Sequence, residues 1–334
     1  VGGAETIEAV AYRLASLLAG GAGRLGGTGH AGLVPDAEAR LRPLARGPRP
    51  AEVWGIDGGQ ATVADGRCLA VVVVRAARAR WRCGQPVEEE EGQLRAYLLG
   101  GGDDGPARAW LAELGLELSP DAPLDANLLR DAGEWELLAR TVEEAEPGAL
   151  VLMDGDLQPD WRIPGTWVAQ FLGRAAERGV LVAGVTKHSG LSRGGVPLVG
   201  QLEAEAEADP GLGGRACWWA RVAATAEGVE PALSVTVARL DPAARFAFRV
   251  DLPHRLPLGL DPQTALGMVA ATADDAAFPG YPYPLSVADR LAGCPGWVRT
   301  EARMALDEHL ERVGVGLAQR ERCFADRHRL MERA

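Results

Sequence analysis

No stretch of the 334 residues approaches the roughly 18 consecutive apolar residues that a membrane-spanning helix needs. The first residues, Val1-Gly2-Gly3-Ala4-Glu5, show no basic segment followed by an apolar one. Cysteine is scarce: Cys68, Cys83, Cys217, Cys294 and Cys323 are odd in number and include no Cys-x-x-Cys pair. That excludes a disulfide framework or a structural zinc site as the organising device, and a soluble protein of the reducing cytoplasm is expected. Positive charge is short as well. A net charge of -11 and a pI near 5.1 argue against a protein that coats nucleic acid through bulk charge. A local basic groove stays open, because acid gathers in runs such as Glu88 to Glu91 and Glu203-Ala204-Glu205-Ala206-Glu207, which read as solvated faces or loops. No internal repeat is visible. What is present is a 47% hydrophobic content, enough to fill one large core or two smaller ones.

Two stretches share one design. Val53-Trp54-Gly55-Ile56-Asp57-Gly58-Gly59 is an apolar strand that delivers an aspartate and then two glycines, which predicts a sharp turn with Asp57 at a strand end. Ala149-Leu150-Val151-Leu152-Met153-Asp154-Gly155-Asp156 repeats the pattern. Within one sheet, two such strands bring two carboxylates together, and like charges in contact call for a divalent cation between them. The plainer alternative is that each Asp-Gly is only a turn after a strand.

Around these strands the pattern predicts a helix over Thr6 to Leu18, a glycine-rich mobile loop from Gly20 to Gly32, and a short helix from about Asp36 to Leu44. Cys68 to Val74 reads as a central buried strand, and Arg75 to Arg82 as a turn and a further strand with Arg75, Arg78, Arg80 and Arg82 on an exposed side. A loop from Gly100 to Pro106, a helix from Leu124 to Ala145, the Asp154 strand, a helix from about Thr166 to Arg178 and a strand from Gly179 to Val185 complete the order βββ, α, β, α, β. This is the element order of the ribonuclease H-like α/β fold, a mixed five-stranded sheet flanked by helices. Strands around Ala216 to Ala223, Ala232 to Leu240 and Arg245 to Val250 form a β-rich insertion, and a helix spans Gln263 to Asp274. Trp297 to Arg333 reads as one or two exposed helices. The expected division is an N-terminal helical region (1–50), the nuclease-type domain (51–300, insertion at about 200–260) and a C-terminal helical extension (301–334).

A third carboxylate is expected from the long helix. Glu134 leans toward the packed side, whereas Glu136 aligns with Ala132 and Arg140 and faces water, although both also fit ordinary helix-surface glutamates. Asp289, following the stiff Tyr281-Pro282-Tyr283-Pro284 block, is a fourth candidate, or else the surface partner of Arg290 or Arg303. Four carboxylates suit two Mg²⁺ or Mn²⁺ ions and phosphodiester cleavage. Lys187, with Ser189 and Arg193 on the same polar loop, is placed to meet a phosphate. His188 reads as a surface residue, and Tyr281 and Tyr283 as stacking or packing aromatics.

Taken together, Gly55-Ile56-Asp57-Gly58-Gly59, Arg130-Asp131-Ala132-Gly133-Glu134-Trp135, Leu152-Met153-Asp154-Gly155, Gly184-Val185-Thr186-Lys187-His188-Ser189 and Gly280-Tyr281-Pro282-Tyr283-Pro284-Leu285 resemble, in order, the NurA family of nucleases. The resemblance implies manganese-dependent cleavage of DNA, with single-strand endonuclease and 5′-to-3′ exonuclease activity. It also implies a homodimer and docking on the HerA hexameric ATPase in processing DNA ends for double-strand break repair. By position it makes Asp57, Glu134 and Asp154 metal ligands, and it sets Asp289 where the family commonly has histidine. Two other classes remain. Gly55 to Thr62 also resembles the phosphate loop of the sugar-kinase, Hsp70 and actin ATPases, and a module that kept the fold but lost catalysis would show the same motifs.

Overall fold

A computed structural model of the chain describes residues 6–20, 25–27, 32–36, 39–102, 104–212, 216–325 and 331. Helix α1 (Ile7–Gly20) and the short strands β1 (Leu25–Gly27), β2 (Leu33–Pro35) and β3 (Arg42–Pro43) precede two long strands, β4 (Glu52–Asp65) and β5 (Leu69–Arg82). Next come β6 (Gln85–Glu90), β7 (Arg95–Gly100), α2 (Gly105–Glu113), α3 (Ala126–Glu144), β8 (Leu150–Asp154), α4 (Gly165–Glu177) and β9 (Leu181–Thr186). The second half holds β10 (Leu191–Arg193), β11 (Val196–Pro197), α5 (Leu198–Ala208), β12 (Trp218–Thr225), β13 (Leu233–Arg239) and β14 (Phe248–Pro253). Helices α6 (Pro262–Ala270), α7 (Tyr283–Ala292), α8 (Gly296–Arg312) and α9 (Leu317–Phe324) follow. No helix among the described residues is long and apolar enough to cross a membrane.

The sheet is built outward from β4. β5 pairs with it antiparallel and is edged by β7 along its first half and β6 along its second. On the other side β8 and then β9 run parallel to it. The order β6-β5-β4-β8-β9 is the ribonuclease H-like core. β14, β13 and β12 continue antiparallel from β9, so the β structure expected as an insertion lengthens the same sheet, which reaches eleven strands with β2 and β3 on β12. β1, β10 and β11 form a separate small sheet.

Strand alternation divides the core. Trp54 and Ile56 of β4 face α3, where Leu128, Leu129, Trp135 and Leu138 are buried. Val53, Leu150 and Leu152 face the other way, toward Leu266, Val269 and Leu285 of α6 and α7. Each fully buried Leu or Ile here contributes roughly 1.5–3 kcal/mol. α3 starts where Asp125 accepts a hydrogen bond from the Leu128 N–H at 2.9 Å.

Four expectations are corrected. Gly58 and Gly59 do not turn the chain: both stay in the β4–β5 ladder, opposite Ala76 and Arg75, so Asp57 lies mid-strand. The glycines answer to packing, because a Cβ at Gly59 would collide with the Ala292 carbonyl of α7 and one at Gly58 with Glu134 and Arg130 of α3. Cys68 to Val74 and Arg75 to Arg82 are one strand, β5, and the third strand of the expected βββ order is supplied by β6 and β7 on its far edge. Arg75 and Arg78 are buried rather than exposed; the acidic run Glu88 to Glu91 stands across from them, and Arg78 Nε reaches Glu90 Oε2 at 2.7 Å. The helix expected from Asp36 to Leu44 is absent from its described residues, since Arg42 and Pro43 pair with Trp219 and Trp218 instead. Two helices, α2 and α5, were not foreseen; the acidic run Glu203 to Glu207 lies on α5. Much of the Gly20 to Gly32 loop, and the end of the Trp297 to Arg333 segment, lie outside the described residues.

Candidate metal centre

Parallel register places the two aspartates side by side. β4 and β8 pair from Val53 with Leu150 to Ile56 with Met153, and the next step sets Asp57 beside Asp154 on the α7 face. α7 brings Asp289 to the same point, and one carboxylate oxygen from each of Asp57, Asp154 and Asp289 lies within 4.8 Å of the others. Lys187, directly after β9, puts Nζ 2.6 Å from Asp154 Oδ2 and 2.6 Å from Asp289 Oδ1. Of the 35 lysine and arginine residues it is the single lysine, so a compact ammonium occurs only where these carboxylates converge. Beneath it lies the Tyr281 ring, 5.2 Å from Nζ to the centroid, with its hydroxyl buried beside Asp154. From the opposite face, Glu134 reaches the gap that Gly58 leaves open.

The charges are crowded. Burial, and then the neighbouring Asp154, push the Asp57 carboxyl up to about 8, although it accepts a 2.7 Å hydrogen bond from the Gly58 N–H. Burial raises Asp154 as well, against the lowering effect of Lys187. Glu134 is held well above the usual carboxylate range by burial and by Asp131, with Asp57 and Asp154 adding to the effect. Burial pulls Lys187 down, but Asp154 and Asp289 outweigh it and leave the ammonium above its ordinary value. Converging carboxylate oxygens that one ammonium only partly neutralises are the hard donor set that Mg²⁺ and Mn²⁺ favour, so the residues fit a divalent ion.

No protein-family model and no curated protein sequence matches the chain. Among solved structures, the NurA nuclease from Sulfolobus solfataricus superposes with a TM-score of 0.60 over 92% of this chain and 95% of that one, at 15% identity. The chain has the NurA fold. The catalytic domain of human endonuclease V matches at a TM-score of 0.39 and 17% identity, covering 90% of this chain and 99% of that one. Endonuclease V of Ciona intestinalis, solved in complex with DNA, matches at 0.38 and 16%, covering 78% and 92%.

Within the NurA fold the remaining candidates separate. Glu136 turns away from the centre and binds Arg95 at 2.7 Å. Asp289 pairs with neither Arg290 nor Arg303, which bind Glu89 at 2.7 Å and Asp307 at 3.0 Å. Ser189 accepts a hydrogen bond from the Leu191 N–H at 3.2 Å at the start of β10, and Arg193 binds Gln201 and Glu205 of α5. Tyr283 packs edge-on against Trp81, 5.2 Å between centroids, where Trp81 pairs with Val53 at the start of β4. Sequence reasoning assigned no role to Arg130, which bonds Asp131 at 2.6 Å and lies 3.3 Å from Glu134; its position one helical turn before Glu134 was the available signal. His188 lines the same cleft as Lys187.

Proposed function

We propose that the protein is a divalent-metal-dependent nuclease. The convergence of Asp57, Asp154 and Asp289 from β4, β8 and α7, on a NurA fold, carries this reading. Asp57, Asp154 and Asp289 would hold the metal, and Glu134, which is not among the three converging oxygens, would act on it from the α3 side. When bound, the ion supplies an activated water and neutralises charge building on a phosphodiester. Lys187, at the same point, would present its ammonium to a phosphate oxygen of the substrate. An aspartate at position 289 keeps an oxygen donor where the resemblance leads one to expect histidine, and so supports an active centre over an inert module. The phosphate-loop reading loses its support because Gly58 and Gly59 remain in the ladder, with no loop to wrap a nucleotide phosphate.

The finer reading follows the family resemblance. It comprises DNA as substrate, Mn²⁺ as the preferred ion, single-strand endonuclease and 5′-to-3′ exonuclease activity, a homodimer, and DNA end processing with a HerA-type hexameric ATPase.

Incubation of the purified protein with single-stranded DNA and Mn²⁺ tests the reading. Cleavage is expected, EDTA stops it, and Asp57→Ala and Asp154→Ala each abolish it with an unchanged circular dichroism spectrum. Glu134→Gln lowers the rate by at least about 100-fold, the size of loss seen when one electrostatic contributor is removed, while Glu136→Gln leaves it near wild type. Undiminished cleavage by Asp57→Ala would remove the metal-centre reading.

A further inference from the structure

Beside the carboxylates opens a cleft of about 640 Å³ whose mouth is shared with the candidate centre, since Lys187, Tyr281 and Asp289 line both. Its walls are unlike the rest of the surface. The chain has only five phenylalanines, and three of them, Phe246, Phe248 and Phe278, converge here. Phe248 and Tyr281 form the packed floor, 5.3 Å between centroids, and Phe278 meets Tyr281 edge-on at 6.1 Å. Phe246 and Phe278, by contrast, are 47% and 50% exposed. Two half-exposed phenylalanines side by side are uncommon on a surface so rich in charge. Among the described residues no arginine lines the cleft itself, and Arg245 sets its guanidinium over the Phe246 ring, 5.1 Å from the centroid. Apart from Lys187 and His188, on the side shared with the candidate centre, the lining offers little to a phosphate and suits a flat, weakly polar ring.

We propose that this cleft takes an unpaired nucleobase of the strand whose phosphodiester lies at Asp57, Asp154 and Asp289, with Phe246 and Phe278 as the stacking residues. The inference rests on the nuclease reading for the identity of the strand. It goes beyond that reading in making recognition base-dependent. A base inside a duplex has both faces covered by its neighbours, so only a base at a frayed end or in a single strand offers a free face to the two rings. The volume lies within the usual range of small-ligand pockets. Tyr281 is not one of the stacking residues: its ring is 3% exposed, covered by Lys187, Phe248 and Phe278, and it shapes the floor.

Fluorescence anisotropy in Ca²⁺ with two labelled oligonucleotides, one of ordinary thymidine and one carrying abasic residues on the same backbone, tests this without requiring turnover. Wild type is expected to bind the thymidine strand more tightly by about 5- to 150-fold, the worth of one stacked base. Phe246→Ala and Phe278→Ala, both at exposed positions, each remove most of that difference and leave abasic binding unchanged. In Mn²⁺ the same variants raise KM on the thymidine strand with little change in kcat. Equal binding of the two strands by wild type, no binding of either, or variants indistinguishable from wild type would overturn the cleft's role. The two readings fail separately. Cleavage with no base dependence sinks the cleft and keeps the nuclease, and base-dependent binding without cleavage does the reverse.

Discussion

At Asp57, burial and the neighbouring Asp154 hold the carboxyl up to about 8, where an aspartate in an unfolded chain titrates near 3.8. Because folding raises this pKa, the folded protein keeps a proton that the unfolded chain releases between those two values. Metal-free stability therefore falls as pH rises from about 4 to about 8 and levels off beyond. A divalent ion must displace that proton, so its apparent affinity rises by up to about tenfold per pH unit below 8 and then flattens. The Mg²⁺-induced gain in melting temperature is expected to grow from pH 6 to pH 8 and reach a plateau by pH 9. An equal gain at pH 6 and pH 8 would show that Asp57 is not a ligand. The aspartates were legible in the sequence because each follows its own apolar run, a local signal. Phe246 and Phe278 were not, because neither residue carries a mark of its own and they meet only once β14 and the turn before α7 are folded together.

Among the elements, β4 and α7 set the geometry of the centre through glycine. Gly55 and Gly59 lie on the α7 face, where any Cβ would enter the space of the Pro284 or Ala292 carbonyl. These are backbone atoms, so the whole helix would have to move, and it carries Asp289. Gly59→Ala is expected to destabilise the fold by about 1–3 kcal/mol and to slow cleavage as Asp289 withdraws. Gly173→Ala, on α4 with open space around it, serves as the control and is expected to gain up to about 1 kcal/mol from helix propensity. Thermal melts of the two variants check both signs, and a neutral Gly59→Ala would show that α7 is free to shift. The sequence showed these glycines and their neighbour Asp57 but not their purpose. A Gly-Gly pair reads equally as a turn or as room for a crossing helix, and only the continuous pairing of β4 with β5 decides between them. The strands and helices β4, α3, β8, α4 and β9 were legible for the opposite reason, since each has its own hydrophobic period, whereas β6, β7 and α2 were not foreseen.

Across the whole molecule, the strands added beyond β9 are tied to the core by a buried ionic knot. Arg249 of β14, fully buried, binds Asp251 through Nε at 2.8 Å and through a terminal nitrogen at 2.7 Å. It also reaches Asp156 and Gln158, each at 3.1 Å, on the loop that follows Asp154. Asp251, buried too, accepts the Leu157 N–H at 3.2 Å. Burial, offset in part by Arg249, holds Asp156 up to about 6. The loop leaving Asp154 is thus fastened to the added strands as well as packed on α4 through Leu157 and Ile163, which makes the candidate centre depend on both parts of the sheet. Arg249→Ala strands the buried Asp251 and the half-buried Asp156 and is expected to cost about 3–5 kcal/mol, whereas Arg249→Met combined with Asp251→Leu recovers much of that loss by replacing the pair with apolar contacts. Because β14 is laddered to β9 and the knot spans the seam, calorimetry of the wild type is expected to show one transition, displaced as a unit in the single variant and largely restored in the double. Two resolved transitions would mean that β12, β13 and β14 fold as a unit of their own, and that the knot joins finished parts rather than helping to form one.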